Sequence, residues 1–250
     1  ESQDDTNLRR LFLFNPYCRT LSRQFRFIMS SRLLKSLIRS NQGILRQKIA
    51  LLDVLQAKHP SIEETSKLFT KVCPIVGASV GAHYRHSMDH VELSVLVASN
   101  HAINLGVQSD SNGTGQSTSK MDRITLNYDL RVRGGTLERD VNEARRRIQN
   151  AHHILEEMDQ NITEETAQEH LVTSEMINAS FMLSSDNGEE FNLQSSIGRE
   201  LGFVAHHAIH HLAMVRIIAI NTLGLDENEL PPNFGKAPST VNFEIEKEVQ

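Results

Sequence analysis

Histidines cluster in two short segments of this 250-residue chain, which holds twelve histidines in all. Seven of them fall within these segments: His83, His86 and His90 in the first, and His206, His207, His210 and His211 in the second. Neutral imidazole is a common ligand of zinc, nickel, copper and iron. The clustering therefore indicates one divalent metal ion held between two helices, with ordinary core or surface histidines as the alternative.

The second segment contains two histidine pairs with a spacing of four, His206 with His210 and His207 with His211. Residues four apart on a helix project from the same face, so either pair could bind one ion. Apolar residues of the segment define one helical stripe: Leu201, Val204, Ala208, Val215 and Ile218. Because His211 lies on this stripe and His207 lies at its edge, we predict that His207 and His211 face the core.

The spacing around these histidines argues against a zinc protease. Ala208 occupies the position where the HExxH motif carries its glutamate base.

Four helices must position these side chains, according to the periodicity of apolar residues. They are predicted at residues 31–56, from Ser79 to about Asn100, from Leu137 to about Met158, and from the cap Ser196 to about Leu223, before Gly224. The predicted fold is all-α, a four-helix bundle with long connections. A short β-hairpin could form within 170–192, before the last helix, and residues 106–122 are expected to be disordered.

Four runs of sequence resemble the DinB/YfiT-like superfamily of four-helix bundles, in an uncharacterised branch, over about residues 32–243. The runs are residues 77–90, 127–133, 196–211 and 234–240. The resemblance implies one metal ligand from the second helix and two, four apart, from the last. The segment from His86 to Asp89 is similar to the family's first ligand followed by an acidic residue, so the implied ligands are His86, His207 and His211.

This resemblance also implies a function. The expectation is a divalent-metal-dependent enzyme, with zinc or nickel activating a thiol or water for transfer or hydrolysis on a small molecule, in a homodimer. The alternative is a non-catalytic metal-binding or dimeric structural bundle protein. His83 and His90 remain alternatives to His86 as the first ligand, because each lies within about one helical turn of it.

Other polar residues could contact the ligands or a substrate, although each could equally form a structural ion pair. They are Asp89, His83, His90, Tyr128, Asp129, Arg131, Arg133, Arg199, Glu200 and His210. A guanidinium group suits a carboxylate substrate and suits an internal glutamate equally well. No catalytic base stands out from the sequence.

Composition leaves the partner class open, with 39% hydrophobic residues and a net charge of -5. The exception is the basic segment between Thr6 and Leu52, which has no acidic residue. Residues 1–30 are predicted to be a basic extension, either a mitochondrial leader, a nucleic-acid arm or a plain extension before Met29, and 31–250 the bundle domain. A nucleic-acid role is disfavoured because no known nucleic-acid motif follows the segment.

The expected location is cytoplasmic, or mitochondrial if the basic segment is a leader. Two cysteines, Cys18 and Cys73, form no disulfide framework or thiolate site and suit a reducing compartment. No membrane span is predicted, since four histidines and Arg216 interrupt the apolar stretch 203–220.

Overall fold

Helices dominate the computed structural model, which describes residues 16–110, 124–129, 135–161, 168–186 and 188–248. In these ranges the α-helices are α1 (Pro16–Lys58), α2 (Ile62–Phe69), α3 (Val80–Asp110), α4 (Val141–Asn161), α5 (Gln168–Ser174), α6 (Ile197–Asn221) and α7 (Pro238–Glu248). The strands are β1 (Thr125–Asn127), β2 (Met176–Met182) and β3 (Glu190–Ser196). The prediction of a mainly helical chain is confirmed, but "all-α" is wrong in detail, because a small sheet is present.

The three strands form one sheet in the order β1-β2-β3. Strand β1 pairs with β2 in parallel, and β2 pairs with β3 in an antiparallel hairpin that aligns Phe181 with Phe191. The expected hairpin is therefore present, whereas β1 was not expected. Strand β3 forms one edge of the sheet, and most of its side chains are exposed.

Four long helices, α1, α3, α4 and α6, correspond to the four predicted helices. Helix α3 packs along α6, while α1 contacts α4 and α6, and α4 contacts α3. The core-facing stripe of α3 is fully buried: Val80, Tyr84, Met88, Val91 and Val95. The predicted stripe of α6 is buried along its length as well. Each such side chain contributes roughly 1.5–3 kcal/mol by leaving water, which places α3 and α6 side by side.

Helix ends agree with the capping signals more closely than with the limits of periodicity. The Ser196 hydroxyl accepts a hydrogen bond from the Arg199 amide at 3.2 Å, and the Ser79 hydroxyl accepts one from the Ala82 amide at 3.1 Å. Gly224 has φ +69°, a left-handed conformation that ends α6 without steric cost. The two caps fix where the histidine-bearing helices begin.

Some predicted boundaries are wrong. Helix α1 begins at Pro16, 15 residues before the predicted start, and α3 runs ten residues past its predicted end. Leu137 lies in a short 3-10 turn, because the Asp140 carboxylate accepts the Asn142 amide at 2.8 Å and starts α4 at Val141. The predicted loop 106–122 is helical up to Asp110, and its residues 111–122 lie outside the described residues.

Helix α6 has the length and hydropathy that a membrane-spanning helix needs, and it alone does so within the described ranges. Eleven of its residues are buried, and the helix packs against other helices and against β3 of the same chain. A buried core helix can have the same length and apolar composition, so these two properties are weak evidence for a membrane span.

Candidate metal centre

Histidines of α3 and α6 meet where the two helices pack together. His86 Nε2 lies 3.1 Å from His207 Nε2, and His83 Nδ1 lies 2.8 Å from His211 Nδ1. The ring centroids of His86 and His211 are 4.7 Å apart. Because α3 and α6 bury apolar stripes against each other, the half-buried histidines at the edges of these stripes face one another.

Three of these histidines form a set that could hold one ion. His86, His207 and His211 each offer one ring nitrogen, and the three nitrogens lie within 4.8 Å of one another. Two nitrogens bound to one ion at about 2.1 Å are about 3–3.5 Å apart, so small ring rotations bring the set to that geometry. These are the three residues that the family resemblance implied, while His206 and His210 of the other pair are exposed.

Burial keeps part of the cluster neutral. Burial, and then the nearby His207, His86, His83 and Lys48, lower the pKa of His211 from 6.5 to about 2. The pKa of His83 is lowered too, first by burial and then by Lys48 and His210. Metal ions bind the neutral form of imidazole, so these rings need not lose a proton near neutral pH to bind one.

A buried lysine lies behind the cluster. Lys48 of α1 has no exposed surface; its Nζ donates to the Ser87 hydroxyl at 2.6 Å and lies 4.2 Å from the centre of the Tyr84 ring. Burial lowers the pKa of Lys48 from 10.5 to about 7. Sequence reasoning missed this residue, although it falls on the buried stripe of α1 between Leu45 and Leu52, a position that favours an apolar side chain.

Aromatic rings continue from the histidines towards the hairpin. His90 is buried, with its ring centroid 4.5 Å from His207, and it stacks on Tyr128 at 4.7 Å. Tyr128 also stacks on Phe181 of β2 at 5.0 Å, and Phe203 stacks on His207 at 5.7 Å. His90 therefore packs against one of the three candidate ligands and is not a member of the three-nitrogen set.

A buried carboxylate organises the other end of this ring cluster. Glu200 is 1% exposed and accepts hydrogen bonds from Tyr128 Oη at 2.6 Å, Arg199 Nη1 at 2.6 Å and the Ser195 hydroxyl. The pKa of Tyr128 is raised far above its ordinary value by burial and then by Glu200, so the phenol stays a donor. These contacts give Glu200 a structural role that joins β3, α6 and Tyr128.

The remaining predicted residues have contacts elsewhere. Asp89 pairs with Arg147 at 3.4 Å and with Arg85 at 3.7 Å, and the Asp129 carboxylate accepts the Met182 amide. The exposed His210 has its ring centroid 6.4 Å from that of His211. Arg131 and Arg133 lie outside the described residues.

An open cleft lies between the hairpin and the start of α6, beyond the Tyr128 end of the ring cluster. Its volume is about 370 Å³, and Phe181, Leu193, Arg199 and Glu200 are among the residues that line it. The Arg199 side chain is 56% exposed and lies over the Phe203 ring at 4.9 Å. Arg199 is thus the one residue from the predicted arginine set that is placed in a cleft within the described part of the chain.

Comparison with known proteins gives a name different from the one that the sequence resemblance suggested. FK506-binding protein 5 of Rhizopus delemar is 40% identical over 116 residues, which are 46% of this chain and 26% of the relative. The match thus spans about a quarter of that protein's length. No family model matches the chain. No solved structure matches it either.

The assignment to the DinB/YfiT-like superfamily is therefore wrong, as is the function that it implied, a DinB-like metal-dependent enzyme acting through a thiol or water. The description of the chain as a metalloenzyme falls with it. Two of the four runs behind the resemblance, residues 77–90 and 196–211, lie at the starts of α3 and α6 and carry the clustered histidines. Histidines four apart share a face on any helix, so this pattern reports helix geometry and not descent or reaction.

Proposed function

We propose that this chain is a binding protein whose histidine cluster holds one divalent cation. The ligands are His86, His207 and His211, and zinc or nickel is the ion. The observation that carries the proposal is the set of three ring nitrogens within 4.8 Å of one another on two packed helices. No reaction is assigned to the site.

The surroundings of the cluster support this role. An imidazole that binds an ion through one ring nitrogen can donate a hydrogen bond from the other nitrogen, which fixes the orientation of the ring. The low pKa of His211 leaves its ring neutral and able to coordinate. Imidazole ligands suit both zinc and nickel, so the donor set does not choose between them. We also propose that α1, α3, α4 and α6 form a four-helix bundle as the scaffold.

Elemental analysis of protein purified without an affinity tag tests the proposal. We expect about one zinc or nickel ion per chain in the wild type, and loss of that ion in the His86→Ala, His207→Ala and His211→Ala variants. His206→Ala is the matched control, since it removes an exposed histidine from the same helix. Full metal content in a His207→Ala/His211→Ala double variant, or no binding of added zinc or nickel by the wild type, would overturn the proposal.

A second candidate function is suggested by the relative alone, whose name describes binding of FK506. We assign this candidate ligand to the cleft beside Phe181 and Leu193, which offers apolar walls. Calorimetric titration of the chain with FK506 tests this candidate. Saturable binding that Leu193→Asp weakens would support it, and no heat of binding up to the solubility limit of FK506 would exclude it.

A further inference from the structure

His83 contacts the cluster without belonging to the three-nitrogen set. Its Nδ1 lies 2.8 Å from His211 Nδ1, with the ring centroids 5.1 Å apart and the ring planes tilted by 49°. Two neutral imidazoles in such contact share one proton: one ring donates its N–H, and the other accepts with a lone pair.

The direction of this hydrogen bond decides whether His211 can bind an ion. Its Nδ1 is occupied by His83, so Nε2 is the nitrogen that remains for coordination. Coordination needs a lone pair on Nε2, which requires the proton of His211 to sit on Nδ1. His211 must then donate to His83, since the opposite direction would place the proton on Nε2 and block the ion.

We propose that His83 is a positioning residue that accepts the Nδ1 hydrogen of His211, and thereby fixes the tautomer and ring orientation in which Nε2 of His211 binds the ion. This inference rests on the proposed cation binding. His83 is not itself a ligand in this arrangement, and it is not an alternative to His86.

Distances support this role over direct coordination. The 2.8 Å separation is a normal hydrogen-bond length, whereas two nitrogens on one ion are about 3–3.5 Å apart. The residue is also held in place, because the Ser87 hydroxyl donates to the backbone carbonyl of His83 at 2.7 Å and itself accepts from Lys48. This tautomer has one cost, because the proton of His83 then sits on Nε2, a buried atom for which the described residues provide no acceptor.

Zinc affinity of full-length variants, measured by competition with a chromogenic chelator, tests the inference. We expect His83→Ala to weaken binding by about 10- to 100-fold, as for loss of other outer hydrogen-bond partners, with the stoichiometry still near one. His83→Asn should recover most of the affinity, because its Oδ1 can accept the same hydrogen. His206→Ala should bind as tightly as the wild type.

Nitrogen NMR of the histidine rings supplies a readout that a purely structural role would not move. In the zinc-loaded wild type, His211 should show a protonated Nδ1 and a coordinated Nε2, and neither nitrogen of His83 should be coordinated. A coordinated His83 nitrogen, or unchanged affinity in His83→Ala, would overturn the inference while leaving cation binding intact. A wild type that binds no zinc or nickel would overturn both.

Discussion

Two buried tyrosines donate hydrogen bonds that should contribute different amounts to the free energy of unfolding. Tyr128 and Tyr84 are both buried tyrosines with a hydroxyl that donates once, but Tyr128 donates to the Glu200 carboxylate and Tyr84 to the backbone carbonyl of Lys48. A hydrogen bond to a charged group contributes about 1.5–3 kcal/mol, against about 0.5–1.5 kcal/mol for a neutral acceptor. The two tyrosines therefore compare a charged acceptor with a neutral one, and the Tyr128 hydroxyl has a further hydrogen bond with the Ser94 hydroxyl at 2.9 Å.

We predict that Tyr128→Phe lowers the free energy of unfolding by about 1.5–3 kcal/mol, because it leaves one oxygen of a buried carboxylate short of a donor. Tyr84→Phe is the control and should cost about 0.5–1.5 kcal/mol. Urea unfolding of both variants measures the difference. Equal losses would mean that Glu200 finds another donor.

At the residue scale, helix geometry alone predicted which histidine pair of α6 is turned away from solvent. The apolar stripe of α6 is visible in the sequence, and it predicts that His207 and His211 lie on the inner side of that helix, where both are partly buried. Spacing alone left the three histidines of α3 open, because they fall within two turns and only the rotation of α3 against α6 separates them; the family resemblance was what favoured His86. Lys48 escaped notice because its charge suggested exposure, whereas its place on the stripe of α1 indicated burial.

At the scale of elements, the chain returns across α6 at a point where backbones nearly touch. Gly235 has φ +67°, and a Cβ on it would lie 2.7 Å from the Leu212 carbonyl oxygen of α6. Its amide donates to the Gln47 side chain of α1 at 2.9 Å. Gly77 has a similar φ of +74° but has open space where a Cβ would point.

Gly235→Ala should therefore destabilise the protein more than Gly77→Ala. Both substitutions place a side chain in the left-handed region, at about 1–2 kcal/mol, but only the first adds a clash with the backbone of α6. Thermal unfolding of the two variants gives the comparison. If their melting temperatures fall equally, the segment around Gly235 can move away from α6 at little cost.

Helix ends that are set by residues within one turn were predictable from sequence, whereas a strand that forms only by pairing with a distant segment was not. The caps Ser79 and Ser196 and the stop Gly224 act within one turn, and they mark helix ends correctly. Strand β1 has three residues and exists by pairing with β2, where Thr125 aligns with Asn178. A contact between positions so far apart leaves no periodic signal in a segment of three residues.

For the whole molecule, the buried Lys48 makes stability depend on pH. Its pKa is about 7 in the folded chain and 10.5 when exposed to water. Between these pH values the unfolded chain binds a proton that the folded chain does not, so stability rises with pH across this window. The penalty is at its full value below about pH 7 and is lost as the pH approaches 10.5.

We predict that, in metal-free protein, the stability of wild type relative to Lys48→Met increases from pH 7 to pH 10. Urea unfolding in the presence of a chelator, at intervals of half a pH unit, measures this slope. Lys71→Met, which removes an exposed lysine, is the matched control. Parallel profiles for wild type and Lys48→Met would mean that Lys48 stays protonated inside the fold.

The family of the whole molecule was wrongly assigned from the sequence. Residues 77–90 and 196–211 correspond to the starts of α3 and α6, and their small and apolar residues serve the packing of these two helices. Packing of this kind is shared by unrelated helical proteins, so a likeness in such segments identifies architecture more readily than ancestry. The overall helical content followed from the same packing, and that prediction is confirmed.

The edge strand β3 has a consequence for handling the protein at high concentration. Phe191 and Leu193 are exposed on β3, and Met176 and Met182 are exposed on the adjacent β2. An exposed apolar edge strand is a template for pairing with another chain, and natural proteins usually protect such edges with lysine, proline or a bulge. Residues 190–196 contain neither lysine nor proline. Folded chains should therefore associate through this edge, and precipitation should increase with protein concentration under conditions in which the helices remain folded.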